Sequence, residues 1–471
     1  MPCPFYNKPR YLLLTLGLIS KRTISTAAVP RFTTPVTRRG SLVPPDAVEE
    51  EALPHYNAKD FFPVQPGRIF RGKYETITKL GYGGGSTVWL ARELNLTRSS
   101  SQRQPSGSDP YVVLKFCTSD YINQEAAQHE LRIGERLGNA NSLHAGAPLV
   151  LAVLDSFEVT GPNGTHNCLV FEPMRETMSL FQSRLKQKRL TLDLLQNYLV
   201  CMLNALDYIH SECRVIHADL SLQNILVNFE GGSVLEEFVQ AQAKNPMVRK
   251  QRDGYSTYQS HNQFGPLQPR LGPIVPVIAD FGHAHWIADA EPKINPIQPD
   301  SYRAPEVILG TGWSYSADIW NLGVLLWNML EGREVDLFSN IHSSDGKYLA
   351  QNHLARMIAL LGPPPKELLQ RELEMRRWNF SPAVTNDDQT LCHKAHQYYK
   401  GPFFDNEGTF LHLDLIPDLN LEDTITALEG DEKRGFMDFV VNNMLCWLPE
   451  QRKTAKELLK HPWLKDARLP W

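Results

Sequence analysis

The stretch HADLSLQNIL, residues 217–226, decides which fold this chain adopts. It places Asp219 five positions before Asn224 and then continues into a short apolar segment. A carboxylate can orient an attacking hydroxyl group, and an amide oxygen at this spacing can hold a divalent metal ion. The spacing is therefore typical of a catalytic loop that works with a metal ion, and the partners of that loop must lie elsewhere in the chain.

The bulk composition is that of a soluble protein with a sizeable core, since 42% of the 471 residues are hydrophobic and 21% are charged. The seven cysteines lie far apart, without a Cys-x-x-Cys motif or a Cys/His cluster. This spacing predicts reduced, mostly buried thiols in an intracellular protein, and it argues against a zinc site or a disulfide framework.

Charge is distributed unevenly along the chain. Residues 1–45 contain seven Lys/Arg and no Asp/Glu, whereas the remainder contains 41 Lys/Arg and 52 Asp/Glu. An acidic body disfavours nonspecific nucleic-acid binding and favours basic partners, so no direct nucleic-acid partner is expected. The apolar run Tyr11–Ile19 is too short to span a bilayer, and no transmembrane segment is predicted.

The basic segment 1–45 has two interpretations that composition leaves open. An acid-free segment rich in Ser, Thr and Arg fits a mitochondrial presequence. It equally fits a basic tail on a protein of the cytoplasm or nucleus. Residues 46–69 are predicted to form a linker or a strap ahead of the folded domain.

Hydrophobic periodicity changes along the chain. An early strand-rich part gives way near Leu192 to a part that is mostly helical, which predicts two lobes with a cleft between them. The predicted strands are a strand–turn–strand at 73–91, then 111–116, 149–159, 168–174 and a pair near 225–228 and 275–279. Helices are predicted at 121–138, from Leu192 onward and at 316–330, and a flexible surface loop at 97–110.

The segment KLGYGGGSTVWLA, residues 79–91, places Gly81, Gly83, Gly85 and Ser86 between two predicted strands. Glycines in such a turn let backbone N–H groups approach phosphates closely. Alone this indication is weak, because glycine serves any tight turn.

Lys115 lies in an otherwise apolar strand, where an unpaired lysine would be costly to bury. Glu130 on the next predicted helix is the expected partner, with Glu125 as the alternative. In VIADFGHAHW, residues 277–286, Asp280 follows a short apolar strand and is placed to chelate Mg²⁺. Together, Lys115, Asp219 and Asp280 indicate a metal–phosphate site far more specifically than any one of them does.

A third group of residues is expected to support the site. Glu306, in Ala304-Pro305-Glu306, is predicted to pair with Arg452. Asp318 begins a helix that is apolar on all sides, and it is placed to accept hydrogen bonds from backbone N–H groups of the catalytic loop.

These motifs together resemble the eukaryotic protein kinase superfamily over roughly residues 70–465. More narrowly, the chain is similar to the SR-protein kinases, especially their fungal relatives, in KLGYGGGSTVWLAREL, LVFEPM, HADLSLQNILV, the segment 298–330 and LLGPPPKELL. The resemblance implies an α+β, two-lobed fold with ATP and Mg²⁺ in the cleft. It implies a small antiparallel β-sheet lobe at 70–174, a large, mainly helical lobe at 175–465 and a C-terminal tail at 466–471.

The resemblance also implies a role for each site residue. Asp219, Lys115 and Glu130 would be catalytic, and Asn224 and Asp280 would hold the metal. Phe171 would be the gatekeeper. The ATP-binding residues would be Gly81, Gly83, Gly85, Ser86, Val88, Val113, Lys115, Glu172, Met174 and Leu226.

Three positions depart from the family pattern. Ala218 stands where many kinases have an Arg that reads a phosphorylated activation loop, and residues 283–300 contain no Ser, Thr or Tyr. This agreement predicts activity without loop phosphorylation. Ser221 stands where a Lys normally neutralises the transferring phosphoryl group, and Pro299 replaces a Thr that contacts that Lys. Either another cation fills the role of that Lys, or activity is low, and because the metal ligands and the base are retained we expect a slow kinase rather than an inactive one.

The expected function is a protein serine/threonine kinase, a monomer that acts on basic, Arg/Ser-rich proteins such as splicing factors in mRNA processing. The acidic segment 401–432 is the expected docking site for such substrates. One alternative is a pseudokinase that binds ATP or a partner with little catalysis. The other is a small-molecule phosphotransferase of the aminoglycoside or choline kinase kind, against which the Glu306, Asp318 and Arg452 positions argue.

Overall fold

A computed structural model describes residues 49–53, 56–94, 110–252, 255–287, 293–332 and 336–470. The basic segment 1–45 lies outside these ranges, as does the predicted surface loop 97–110 except for Pro110.

The small lobe is built on a six-stranded antiparallel sheet with the strand order β1-β2-β3-β4-β6-β5. The strands are β1 (Ile69–Phe70), β2 (Tyr74–Gly83), β3 (Ser86–Glu93), β4 (Tyr111–Cys117), β5 (Asp155–Gly161) and β6 (Gly164–Phe171). Helix α1 (Tyr121–Asn139) follows β4. The predicted strand–turn–strand is confirmed as the β2–β3 hairpin, in which Gly83 pairs with Ser86. The predicted strand at 149–159 begins later, at Asp155.

The larger lobe is mainly helical, and its strands are short. Its helices are α2 (Met178–Arg184), α3 (Leu192–Asp207) continued by a π-helical turn, α4 (Gly232–Lys244), α5 (Pro305–Leu309), α6 (Ser316–Glu331), α7 (Ala350–Leu361), α8 (Lys366–Met375), α9 (Ala395–Tyr398), α10 (Gly430–Asn443) and α11 (Ala455–Leu458). Its strands are β7 (Glu176–Thr177), β8 (Val215–Ile216), β9 (Ile225–Val227), β10 (Arg249–Arg252), β11 (Tyr255–Tyr258), β12 (Pro276–Ile278), β13 (His285–Trp286), β14 (Val384–Thr385) and β15 (Leu391–Cys392). Helix α6 is buried throughout from Ala317 to Leu330, as its uniformly apolar sequence predicts.

The predicted strand pair near 225–228 and 275–279 is confirmed as β9 and β12, which pair antiparallel. The β8–β13, β10–β11 and β14–β15 pairs were not predicted from the sequence. They are two to four residues long, and so short a stretch has no clear hydrophobic period of its own.

The chain between β9 and β12 contributes to the small lobe, although its position in the sequence lies within the range 175–465. Val234 and Phe238 of α4 pack in one cluster with Leu90 and Tyr111 of the sheet. Tyr258 of β11 packs edge-on against Trp89, with the ring centroids 5.6 Å apart. This stretch, residues 232–264, is called the insert below. Leu90 and Trp89 are successive strand residues that point to opposite faces, so the insert packs against both faces of the sheet.

Residues 49–53, called the strap below, are held against the sheet by a buried lysine. The Lys79 side chain is 1% exposed, and its Nζ lies 3.2 Å from Glu49 Oε2 and also contacts the Glu50 carboxylate. Lys79 Nζ donates to the Tyr258 carbonyl at 2.9 Å, and the Ser260 backbone N–H donates to Glu49 at 2.8 Å. The strap, strand β2 and the insert therefore share one buried polar network.

Among the residues that the model describes, no helix combines the length and the apolar character needed to cross a bilayer.

Candidate active site

A cavity of about 1180 Å³ opens where the two lobes meet. Its wall includes many of the predicted site residues, namely Gly83, Gly85, Ser86, Lys115, Glu130, Asp219 and Asp280. These residues come from the β2–β3 turn, strand β4, helix α1, the loop after β8 and the end of β12. The fold thus brings together groups that lie up to 200 residues apart in sequence.

The predicted Lys115–Glu130 ion pair is present. Lys115 Nζ lies 2.8 Å from Glu130 Oε1 and 2.7 Å from Oε2, and 3.7 Å from Asp280 Oδ1. Burial alone would lower the pKa of Lys115, but the carboxylates of Glu130 and Asp280 raise it above its ordinary value. Lys115 is therefore a fixed cation in the wall of the cavity. Its alternative partner, Glu125, is not needed.

Helix α1 is positioned by a contact that the sequence did not reveal. His129 Nε2 donates to the carbonyl of Ala284 at 2.7 Å. This bond connects the helix that carries Glu130 to the segment that follows Asp280, so the two acidic residues keep their spacing. The only indication of this role in the sequence was that His129 directly precedes Glu130.

Asp280 has a left-handed backbone conformation, with φ 61° and ψ 74°. A non-glycine residue in this region costs free energy and persists where the surroundings hold it, often at functional sites. The surroundings here include the Phe281 ring, which is buried 4.9 Å from the ring of His217. His217 Nε2 donates to the Ala279 carbonyl at 2.9 Å, which fixes the strand end that presents Asp280.

The catalytic loop is anchored by Asp318, as the sequence predicted. The two carboxylate oxygens of Asp318 accept from the backbone N–H groups of His217 at 2.8 Å and Ala218 at 2.9 Å. Ala218 has a φ of 63°, and these two bonds offset the cost of that conformation.

Asp219 and Asn224 are joined side by side at the cavity. Asn224 Nδ2 donates to the Asp219 carbonyl and to Asp219 Oδ2, each at 2.8 Å. The other oxygens, Asp219 Oδ1 and Asn224 Oδ1, are buried and have no partner in the described part of the chain, and neither does Ser221 Oγ. Burial, followed by the nearby Asp280 carboxylate, raises the pKa of Asp219 well above its ordinary value.

Two comparisons address the family directly. Residues 74–259 and 272–464 match the family model described as the protein kinase domain. The chain belongs to the protein kinase family. A serine/threonine protein kinase of Aspergillus fumigatus is 35% identical over 422 residues, which cover 88% of this chain and 91% of the relative.

More distant relatives point to the SR-protein kinases. The serine/threonine-protein kinase SRPK of Physarum polycephalum is 27% identical and covers 89% of this chain and 92% of its own. The protein kinase dsk1 of Schizosaccharomyces pombe is 25% identical, with 91% and 88% coverage. A kinase-domain crystal structure matches with a TM-score of 0.57 at 22% identity, covering 87% of this chain and all of that one, which shows the fold.

The predicted fold class is confirmed, and the protein is a serine/threonine protein kinase related to the SR-protein kinases. A kinase domain implies ATP as the phosphoryl donor, typically with Mg²⁺. The donor set fits that metal, because Asp280 offers carboxylate oxygens and Asn224 offers its amide oxygen, the kinds of ligand that Mg²⁺ prefers. In the described ranges no three acidic, His or Cys side chains form a closed metal cage.

The predicted Glu306–Arg452 ion pair is present and buried in the large lobe of the kinase. Arg452 Nη1 and Nη2 donate to the two carboxylate oxygens of Glu306 at 2.6 and 2.7 Å, and neither side chain is exposed. Arg452 Nη1 also donates to the carbonyl of Ser316, the first residue of α6, at 3.0 Å. Through these bonds Arg452 links α5, which contains Glu306, to the start of α6, the helix that carries Asp318.

Gln298 connects the activation segment to the catalytic loop of the kinase, and sequence reasoning missed it. Its backbone N–H donates to the Ala218 carbonyl at 3.0 Å, and its Nε2 donates to Asn321 Oδ1 at 2.8 Å. Its φ is 72°. The family pattern drew attention to the next residue, Pro299, which cannot donate from its backbone. In the described ranges no Lys or Arg is ion-paired with Asp219, and Lys115 pairs with Glu130 and Asp280 instead.

The other predicted nucleotide-binding residues are not among those that line this cavity. Val88 pairs in register with Lys115, and Val113 pairs with Phe171. Leu226 pairs with Val277 on the floor formed by β9 and β12. Glu172 is exposed, and Met174 and Gly81 are half-buried. Apart from Gly81 and its two chain neighbours, no heavy atom of the described residues lies within 4 Å of the position that a Cβ on Gly81 would take.

Proposed function

We propose that this kinase transfers the γ-phosphate of ATP to Ser or Thr with Asp219 as the base and Asn224 and Asp280 as the Mg²⁺ ligands. The observation that carries the proposal is the set of buried oxygens without partners on Asp219 and Asn224. Buried polar atoms are almost always hydrogen-bonded, and these oxygens lie at the cleft, where a metal ion and a substrate hydroxyl group can become their partners. Bound Mg²⁺-ATP would supply the phosphoryl group and neutralise its charge.

Each residue has a distinct task in this proposal. Asp219 Oδ2 is held by Asn224, which leaves Oδ1 free to accept the proton of the substrate hydroxyl. Lys115 stays protonated between Glu130 and Asp280 and binds the α- and β-phosphates. Gly83, Gly85 and Ser86 cover the phosphates from the β2–β3 turn, where backbone N–H groups can approach them.

A pseudokinase is the second candidate, and the environment of Ser221 favours it. Ser221 stands where the family pattern places a lysine that neutralises the transferring phosphoryl group, and a serine hydroxyl carries no charge. Loss of one preorganised donor typically costs about 2.7–4 kcal/mol, or 10²–10³ in rate. Because Lys115, Asp219, Asn224 and Asp280 are all in place, we favour a slow kinase. Release of radiolabelled phosphate or autophosphorylation in the parent, absent from Asp280→Ala, distinguishes the two.

We propose that the substrates are basic, Arg/Ser-rich proteins such as splicing factors. One relative, the SRSF protein kinase 3 of mouse, is 21% identical over 89% of this chain. The segment 401–432 holds nine Asp/Glu and no Lys/Arg. In this segment Asp414, Asp418, Glu422 and Asp423 are exposed, and none is ion-paired within the described residues. Such a surface attracts Arg-rich chains over about 8 Å at physiological salt.

The docking proposal is tested by neutralising those four carboxylates to their amides. KM for an Arg/Ser-rich protein should rise and its salt dependence should flatten, with little change for a short uncharged peptide. Asp405 is left intact because its carboxylate accepts from the backbone of Glu407 and Thr409 and holds the local turn. A matched control neutralises four exposed carboxylates elsewhere, Glu135, Glu158, Glu212 and Glu237. Equal effects of the two sets, or on the two substrates, would remove the proposal.

We propose a cytoplasmic or nuclear location, because the relationship to SR-protein kinases favours the interpretation of residues 1–45 as a basic tail. The alternative is a mitochondrial presequence. Residues 1–45 fused to a fluorescent reporter distinguish the two, since import into mitochondria would contradict the proposal.

A further inference from the structure

Three leucines are exposed on a short stretch of the large lobe. Leu411 is 52% exposed, Leu413 61% and Leu419 37%. Single exposed leucines are ordinary, but several on one stretch mark a surface that a partner covers. Residues 411–423, which also carry the exposed Asp414, Asp418, Glu422 and Asp423, are called the acidic leucine surface below.

The backbone on both sides of the acidic leucine surface is anchored, so the leucines are not exposed by a loose loop. Leu411 N–H donates to the Phe403 carbonyl at 2.8 Å. At the other end, Trp327 Nε1 donates to Thr424 Oγ1 at 3.1 Å, and Glu331 accepts from the Thr426 backbone at 2.8 Å. The surface therefore presents apolar and anionic groups in a fixed arrangement.

A ligand for this surface should offer apolar side chains between positive charges. An Arg/Ser-rich substrate supplies the charges but little apolar area. The N-terminal segment of this chain supplies both, because the apolar run Tyr11–Ile19 lies between Lys8 and Arg10 on one side and Lys21 and Arg22 on the other. Residues 8–22 contain no acidic residue.

We propose that residues 8–22 bind the acidic leucine surface of the same chain and compete there with basic substrates. The competition rests on the proposed function, whereas the binding does not. Residues 23–48 connect the segment to the strap, and a chain of this length can span up to about 85 Å. Such tethering gives an effective concentration on the order of 1 mM. A segment with an intrinsic Kd of about 0.3 mM would then raise the KM of a competing substrate about fourfold.

The first test is a cycle of variants in the full chain. The tail variant carries Lys8→Gln, Arg10→Gln, Lys21→Gln and Arg22→Gln, and the surface variant carries the four amide substitutions described above. The tail variant should lower KM for an Arg/Ser-rich protein about fourfold and leave kcat for a short uncharged peptide unchanged. In a chain that already carries the surface substitutions, the tail substitutions should not change KM any further. An equal effect in both backgrounds would overturn the proposal.

The second test measures binding without catalysis. A fluorescein-labelled peptide of residues 5–24 should bind the tail variant in an anisotropy titration and should bind the surface variant at least tenfold more weakly. A peptide with the same charges and with Leu12, Leu13 and Leu14 replaced by Ser should also bind more weakly. Absence of binding to the tail variant, or equal binding to the surface variant, would overturn the inference. If the peptide binds the acidic leucine surface but the surface variant has the same KM as the parent, substrate docking at this surface would be refuted instead.

A second copy of the chain is the alternative source of the same segment. Sedimentation of the full chain across a hundredfold concentration range distinguishes the two. A monomer whose KM is independent of enzyme concentration supports the intramolecular contact. A dimer that the tail variant dissociates would overturn it.

Discussion

The buried Lys79 network offers a sharp test of how the strap and the insert support the small lobe. In the double variant Glu49→Gln and Glu50→Gln, both partner charges are removed while the side-chain shapes are kept. Lys79 is 1% exposed, and its ammonium group would keep only uncharged acceptors, among them the Tyr258 carbonyl at 2.9 Å. Removing one partner of a buried ion pair costs about 3–5 kcal/mol, so we expect unfolding free energy to fall by about 3 kcal/mol. Lys79 also lies two residues before Gly81, so a loosened β2 should raise KM for ATP.

The assay is urea unfolding followed by tryptophan fluorescence, with ATP kinetics on the same preparations. Glu450→Gln is the control, because the side chains of the Arg371–Glu450 pair are 33% and 54% exposed and the pair should contribute below about 1 kcal/mol. Adding Lys79→Met to the double variant should restore most of the loss, since no buried charge is then left unpaired. A double variant within 1 kcal/mol of the parent, or a triple variant no better than the double, would refute the reasoning.

Three further predictions concern the site and its surroundings. Ser221→Lys should leave the rate equal or higher, because it restores a cation beside the transferring phosphoryl group, and a large fall in kcat would show that the site is built around the serine. Phosphatase treatment of the purified protein should leave the rate unchanged, because Ala218 cannot read a phosphate and residues 283–300 contain no acceptor, and a strong loss would point to a phosphorylated site elsewhere. Burial, then Arg303, lowers the pKa of His353 to about 3, so below pH 6.5 the unfolded chain binds a proton that the folded chain does not. Stability should therefore fall by about 2 kcal/mol between pH 7 and pH 5 from this residue alone, and His353→Gln should show a correspondingly smaller acid destabilisation in urea titrations.

The sequence was sufficient to predict the roles of residues whose chemistry requires a partner. A lysine in an apolar strand needs a counter-charge, which led from Lys115 to Glu130, and a uniformly apolar helix must be buried, which placed α6 in the core. Asp318 and Arg452 could be assigned for the same reason, since a charge in a buried position needs specific acceptors or donors. Each of these predictions follows from a local conflict between residue type and environment.

Contacts between residues without such a conflict could not be predicted from the sequence. The insert has an ordinary amphipathic helix, and only the assembled sheet shows that Leu90 and Tyr111 are its partners. Gln298 and His129 are polar residues that a surface would tolerate, and their roles come from backbone carbonyls whose positions depend on the whole fold. The Lys79 network likewise joins residues 49 to 260, a separation over which single-sequence patterns carry no information.

The central claim is that Asp219 and Asp280 perform metal-dependent phosphoryl transfer at the cleft. The most direct measurement is transfer of label from γ-³²P-ATP in the presence of Mg²⁺ to an Arg/Ser-repeat peptide and to a generic basic protein. The parent should label Ser or Thr, Asp280→Ala should abolish transfer, and Asp219→Asn should lower kcat by about 10²–10⁴. Labelling by Asp280→Ala or Asp219→Asn at the parent rate, or no labelling by the parent at all, would contradict the claim.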